Sequence, residues 1–223
     1  MESKGLTADN NLLIQKGLFP IRWWAIVIFL VVFPLLLVPA VWLIRDRGML
    51  AMLATFFATG LIALAVAMAP IGRAALPALG FRRAGWRPIV FGTVGALVVS
   101  VAVTQIGIEP QGIKQAMEVA REPAMFAASL AVMAGLAPLV EELIFRGLLY
   151  GWLAGRWGTV AAWIVSSLAF AAAHVEPAHV ILVLPLGLFF GWLRRRTDSL
   201  WPSLVAHMVN NGLAVVAAAY LDM

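Results

Sequence analysis

The 223-residue chain contains no cysteine, which excludes a disulfide framework and any thiolate metal site. It is also short of charge. Asp, Glu, Lys and Arg make up 12% of it, against about 25% in an ordinary soluble domain, too little polar surface to face water on every side. Histidine occurs three times, at 174, 179 and 207, and no HExxH metal motif is formed. What is abundant is apolar: 63% of residues are hydrophobic and the mean hydropathy is +0.95. That excludes a disordered or nucleic-acid-binding chain.

The apolar residues fall in long runs, and roughly 20 are needed for a helix to cross the hydrocarbon core. Trp23 to Ile44 is free of charge, with Pro34 and Pro39 placed to kink it. Met49 to Pro70 and Ile89 to Ile108 are the next two. Ala124 to Leu153 is apolar except for Glu141, Glu142 and Arg146, and Pro138 interrupts it. Gly158 to Ala173, Val180 to Leu193 and Leu200 to Leu221 complete the set. The expectation is an all-α, polytopic membrane helix bundle with seven transmembrane helices, or eight if Pro138 divides the fourth run. All the tryptophans except Trp163 stand near the ends of these runs, where amphipathic rings favour the headgroup level. No secretory cleavage site is visible, so the first run reads as an uncleaved anchor. Nor is there an internal repeat or a long linker. Residues 1–223 read as a single transmembrane domain.

Seven spans place the amino-terminal tail and the loops at 71–88, 154–158 and 194–198 on one side. They hold eleven basic residues, Lys4, Lys16 and Arg194 to Arg196 among them. The other side holds four: Arg45, Arg47, Lys114 and Arg121. This asymmetry predicts a cytoplasmic amino terminus. Topology and anionic lipid account for the basic loops, so no nucleic acid partner is expected. The polar segment 109–123, with Glu109, Lys114, Glu118, Arg121 and Glu122, reads equally as a short interfacial helix or a solvated loop.

Ionisable groups inside spans cost about 2.5–3.5 kcal/mol each and are functional candidates by default. Glu142 and Arg146 are spaced i,i+4, share a helical face and can pair. Glu141 projects about 100° from Glu142 and has no sequence-local cation, which suits a general base or an inter-helix hydrogen bond. A hairpin turning near Arg156 brings His174 to a depth similar to that of Glu141, where the two could bind and deprotonate a water. His207 and Asn211, again i,i+4, offer paired donors, for an oxyanion or for holding helices together. A zinc ion held by Glu141, His174 and His207 is permitted by residue type, without being called for.

Glu141 to Arg146 reads EExxxR, Phe170 to His174 reads FxxxH, and His207 to Asn211 reads HxxxN. Three motifs in this order resemble the CPBP family, which takes in type II CAAX prenyl proteases and bacteriocin-processing or immunity proteins. The likeness covers roughly residues 124–221. It implies an intramembrane endopeptidase in which Glu141 and His174 activate water and His207 and Asn211 stabilise the oxyanion. Glu142, Arg146 and Phe170 would support the site. By this resemblance no cofactor is required, the substrate is a peptide or membrane protein, and the setting is a bacterial cytoplasmic membrane. Two other classes stay open: a non-catalytic immunity or scaffold protein of the same family, and a proton-coupled transporter. The transporter lacks the matching pair of broken helices that would point to its site.

One tension is visible. Glu141 lies about 22 Å along its helix from Arg156, past the midplane, while His207 lies about 16 Å from Arg196.

Overall fold

A computed structural model describes residues 21–108 and 110–220. Lys4 and Lys16, Glu109 and Leu221 at the end of the last expected span lie outside them. Helix α1 (Trp23–Ile44) runs through both Pro34 and Pro39 as one helix. It packs on α2 (Met49–Met68), with Phe33 stacked on Phe29 and set edge-on to Phe56. A 3₁₀ segment (Ala69–Ala74) leads to the short α3 (Ala75–Leu79), and α4 follows (Trp86–Thr104). The polar stretch after it is a helix, α5 (Gln111–Arg121). It buries Ala116 and Ala120 and exposes Gln111, Lys114, Gln115 and Glu118, as a helix lying along an interface would.

The next helical path, Pro123–Ala172, is 50 residues long. It comprises α6 (Pro123–Ser129), a π-helical turn (Leu130–Leu136), α7 (Ala137–Glu142), a second π turn (Leu143–Leu149) and α8 (Tyr150–Ala172). Pro138 does not divide it. A proline ring collides with the carbonyl four residues back in a regular α-helix, and the wider π turn just before α7 takes up that misfit. The reversal comes at Gly158, whose φ of 81° and ψ of 168° break the helix. Phe145 and Phe170 show the fold-back: their ring centroids are 5.5 Å apart, whereas a straight helix would separate them by about 37 Å. Helices α9 (Pro177–Thr197) and α10 (Trp201–Tyr220) complete the described chain.

Among the described residues, six helical stretches can cross a membrane by length and composition, where seven or eight are expected from the apolar runs. The difference is local, since the fourth and fifth runs are the two arms of the 50-residue path and join at Gly158 without a loop. No strand occurs among the described residues. Large apolar side chains face outward, Leu35 at 67% and Val98 at 64% exposure, while Ala25, Ala63, Ala96, Ala162 and Ala206 are sealed inside. Lipid supplies no hydrophobic drive between helices, so close packing of small residues does that work. The chain is an integral, multi-pass α-helical membrane protein.

Two glycines bring α9 against the returning arm of α8. A Cβ at Gly187 would lie 2.8 Å from the Phe170 ring, and one at Gly191 would lie 2.6 Å from Ser167 Oγ. At one end of the bundle, Arg194 Nε donates to the Arg146 carbonyl at 3.1 Å, and its Nη1 reaches Asp198 at 2.9 Å. Asp198 also pairs with Arg82. These contacts tie the loop before α4 to the end of α9.

Candidate active site

Helix α7 ends on Glu141 and Glu142, and the second π turn carries Arg146. The returning arm of α8 brings Phe170, with His174 just past its end, and α10 brings His207 and Asn211. Glu142 and Arg146 are both fully buried and pair as their spacing suggests, with Oε1 and Nη1 3.3 Å apart. The guanidinium is held on its other sides too. Its Nη2 donates to the Gly187 carbonyl at 2.8 Å, and its plane sits 4.2 Å from the Phe170 ring centroid. Ser167 Oγ donates to the same carbonyl at 2.9 Å. A buried charge needs partners to be tolerated, and this pair is only partly satisfied: Arg146 Nε and Glu142 Oε2 are buried without a hydrogen bond among the described residues.

His207 lies between the two glutamates. Its Nδ1 is 3.2 Å from Glu142 Oε1, and its Nε2 is 3.5 Å from Glu141 Oε2. Phe190 stacks on the imidazole at 4.8 Å and an interplanar angle of 24°, and Phe170 meets it edge-on at 5.8 Å. The ring is therefore fixed in plane and rotation. Of the three ionisable side chains, Glu141 is the most open, with 17% of its side chain exposed against 6% for His207 and none for Glu142. A group that meets substrate or water needs that access.

The partner of Glu141 is thus His207, where matched depth suggests His174. No ion pair within 4.0 Å joins His174 to either glutamate among the described residues. His174 Nδ1 instead bonds the Phe170 carbonyl at 2.9 Å, so it is the donor there and Nε2 is left to face other groups. Its ring lies 5.0 Å from Phe170 and 4.4 Å from His179. Phe170 touches both histidines and Arg146, which makes it a shared wall of the site. Asn211 shares a face with His207, but its Nδ2 donates to the Met133 carbonyl at 3.2 Å. The neighbouring Asn210 donates to Asn211 Oδ1 at 3.4 Å, and its own buried Oδ1 has no partner among the described residues.

Both nitrogens of His207 face carboxylates, and no group of three His, Asp or Glu side chains that could hold a metal ion is found among the described residues. Sequence spacing misses Phe190, the Gly187 carbonyl and Ser167, because their roles depend on how separate helices meet. One signal for them was present: Gly187-x-x-x-Gly191 marks a face where helices approach closely.

A family model described as type II CAAX prenyl endopeptidase Rce1-like matches residues 123–213. A candidate membrane peptidase, YdiL of Bacillus subtilis (strain 168), is 31% identical over 81 residues, which is 36% of this chain and 33% of the relative. The membrane-embedded CAAX protease MroQ of Staphylococcus aureus (strain USA300) is 30% identical over 130 residues, covering 54% of this chain and 51% of that protein. The matches thus span about a third and about half of the length of these relatives. No solved structure matches the chain. All three motifs, and the four side chains built around His207, lie inside the matched segment. Residues 123–213 are thus similar to the type II CAAX prenyl endopeptidase Rce1-like family.

Proposed function

We propose that this protein is an intramembrane endopeptidase that hydrolyses a peptide bond of a membrane-associated peptide or protein. The observation that carries this reading is the 3.5 Å approach of Glu141 Oε2 and His207 Nε2 between apolar helices, with Glu141 partly open. It sets a base and a donor side by side. Glu141 takes a proton from a water drawn in with His174, and the water oxygen attacks the scissile carbonyl. His207 and the amide of Asn211 donate to the developing oxyanion, for which Asn211 leaves the Met133 carbonyl. When the C–N bond breaks, the proton held by Glu141 passes to the leaving amine, and the products are a new carboxylate and a new amine. Glu142, Arg146 and Phe170 do not touch substrate; they hold His207 and Glu141 in place. The residues supply the base and the donors themselves, so no metal enters this sequence of steps.

Proteoliposomes holding the purified protein test this. They are incubated with a membrane-protein extract, and new termini are read by mass spectrometry, with and without chelator. Termini made by the wild type in both conditions and missing with Glu141→Gln support the proposal. Equal yields from wild type and Glu141→Gln contradict it, and loss with chelator contradicts the metal-free route.

One observation favours a second reading, a non-catalytic immunity or scaffold protein. The Asn211 amide is already engaged by Met133. On that reading Glu141→Gln and His174→Ala leave the cellular role intact.

A further inference from the structure

The turn after α8 holds a residue that the motif pattern leaves out. Val175 adopts φ of 61°, in the left-handed region that β-branched side chains avoid. It is 82% exposed, so side-chain packing does not hold it there. The backbone does so locally: the Glu176 N–H closes the turn onto the His174 carbonyl at 2.6 Å. Beyond that, the Glu176 carboxylate reaches out of the turn and accepts two N–H groups from the first turn of α5. Gln111 donates to Oε1 at 2.7 Å and Gly112 to Oε2 at 3.2 Å. Those amides are unpaired within their own helix and lie at its positive end, the best place for a carboxylate. Residue 112 has no Cβ, and one built there would lie 3.4 Å from Glu176 Oε2. Pro177 then opens α9 with its fixed φ, and His179 on that helix meets the His174 ring at 4.4 Å.

We propose that Glu176 is a positioning residue for His174. By gripping α5 it keeps Val175 in its strained turn, and that turn sets the position of the His174 backbone and the approach of His179. The amphipathic surface helix is thereby linked to the site. A strained conformation persists only where its surroundings over-determine it, and here the anchor is a carboxylate on another element. This inference rests on His174 taking part in the proposed hydrolysis.

The test uses the full chain in proteoliposomes with a peptide whose cleavage is lost in Glu141→Gln. Glu176→Ala lowers kcat by roughly ten- to hundredfold, as for a reacting group misplaced by about an ångström. KM changes little, and amide exchange at Gln111 and Gly112 accelerates. Adding Val175→Gly to Glu176→Ala restores most of kcat, because glycine adopts the left-handed turn without strain. Glu176→Gln, which keeps one acceptor oxygen, gives an intermediate loss and carries the same test if the alanine variant does not accumulate. An unchanged kcat in Glu176→Ala overturns the inference, and so does a loss that Val175→Gly fails to relieve. Cleavage that survives Glu141→Gln overturns the hydrolysis reading instead, so the two failures are distinguishable.

Discussion

Glu141 and His207, 66 positions apart in the sequence, meet through a single carboxylate–imidazole contact of 3.5 Å. Three neighbours fix the imidazole, directly or through one another. Glu142 takes the second nitrogen of His207, Phe190 stacks on its ring, and Arg146 restrains Glu142.

Arg146 and Glu142 are both sealed from solvent, so either one alone is an uncompensated buried charge. Arg146→Met should destabilise the protein by about 3–5 kcal/mol, while Arg146→Met with Glu142→Gln should recover much of that loss. Thermal unfolding of the purified variants in detergent measures both. A double variant no more stable than the single would show that the charge pair is not the cause.

Gly191 faces Ser167 Oγ and Trp163 across the α8–α9 contact, with room for no more than a hydrogen. Gly191→Ala should cost about 1–3 kcal/mol by forcing the helices apart. Gly60→Ala, whose Cβ would meet Val140 at the milder distance of 3.2 Å, should cost less. The same unfolding series ranks the two, and the reverse order would contradict the packing argument.

The absence of cysteine makes orientation directly measurable. Arg47 and Arg196 are both exposed and stand on opposite sides of the expected topology. A membrane-impermeant thiol reagent should label Arg47→Cys in intact cells, and Arg196→Cys only after the membrane is opened. The opposite labelling would place the amino terminus outside.

The sequence reveals what is local. Apolar runs mark the helices to within a few residues, and i,i+4 spacing pairs Glu142 with Arg146, because both properties depend on one stretch of chain. The reversal near Gly158 is legible for the same reason. The partner of Glu141 is not, since it depends on how α7 and α10 cross. A ruler of about 1.5 Å per residue places Glu141 and His207 at different depths, yet they touch. Such a ruler assumes straight, upright α-helices and loops at equal height, while the π turn after Glu142 packs more residues into each turn. The division at Pro138 fails similarly, because a proline predicts a misfit and does not say whether the helix breaks or widens. Glu176 is invisible to motif reading, since its role lies in two backbone amides of a distant helix.

The central claim is that Glu141 and His207 serve one transition state. A double-mutant cycle on one cleaved peptide tests it, with kcat/KM measured for wild type, Glu141→Gln, His207→Gln and the pair, each confirmed as folded. General-base loss should lower the rate by about 10²–10⁴-fold, donor loss by about 10²–10³-fold, and the double variant no further than the worse single. Multiplicative losses, or a Glu141→Gln variant with undiminished kcat/KM, would contradict the account.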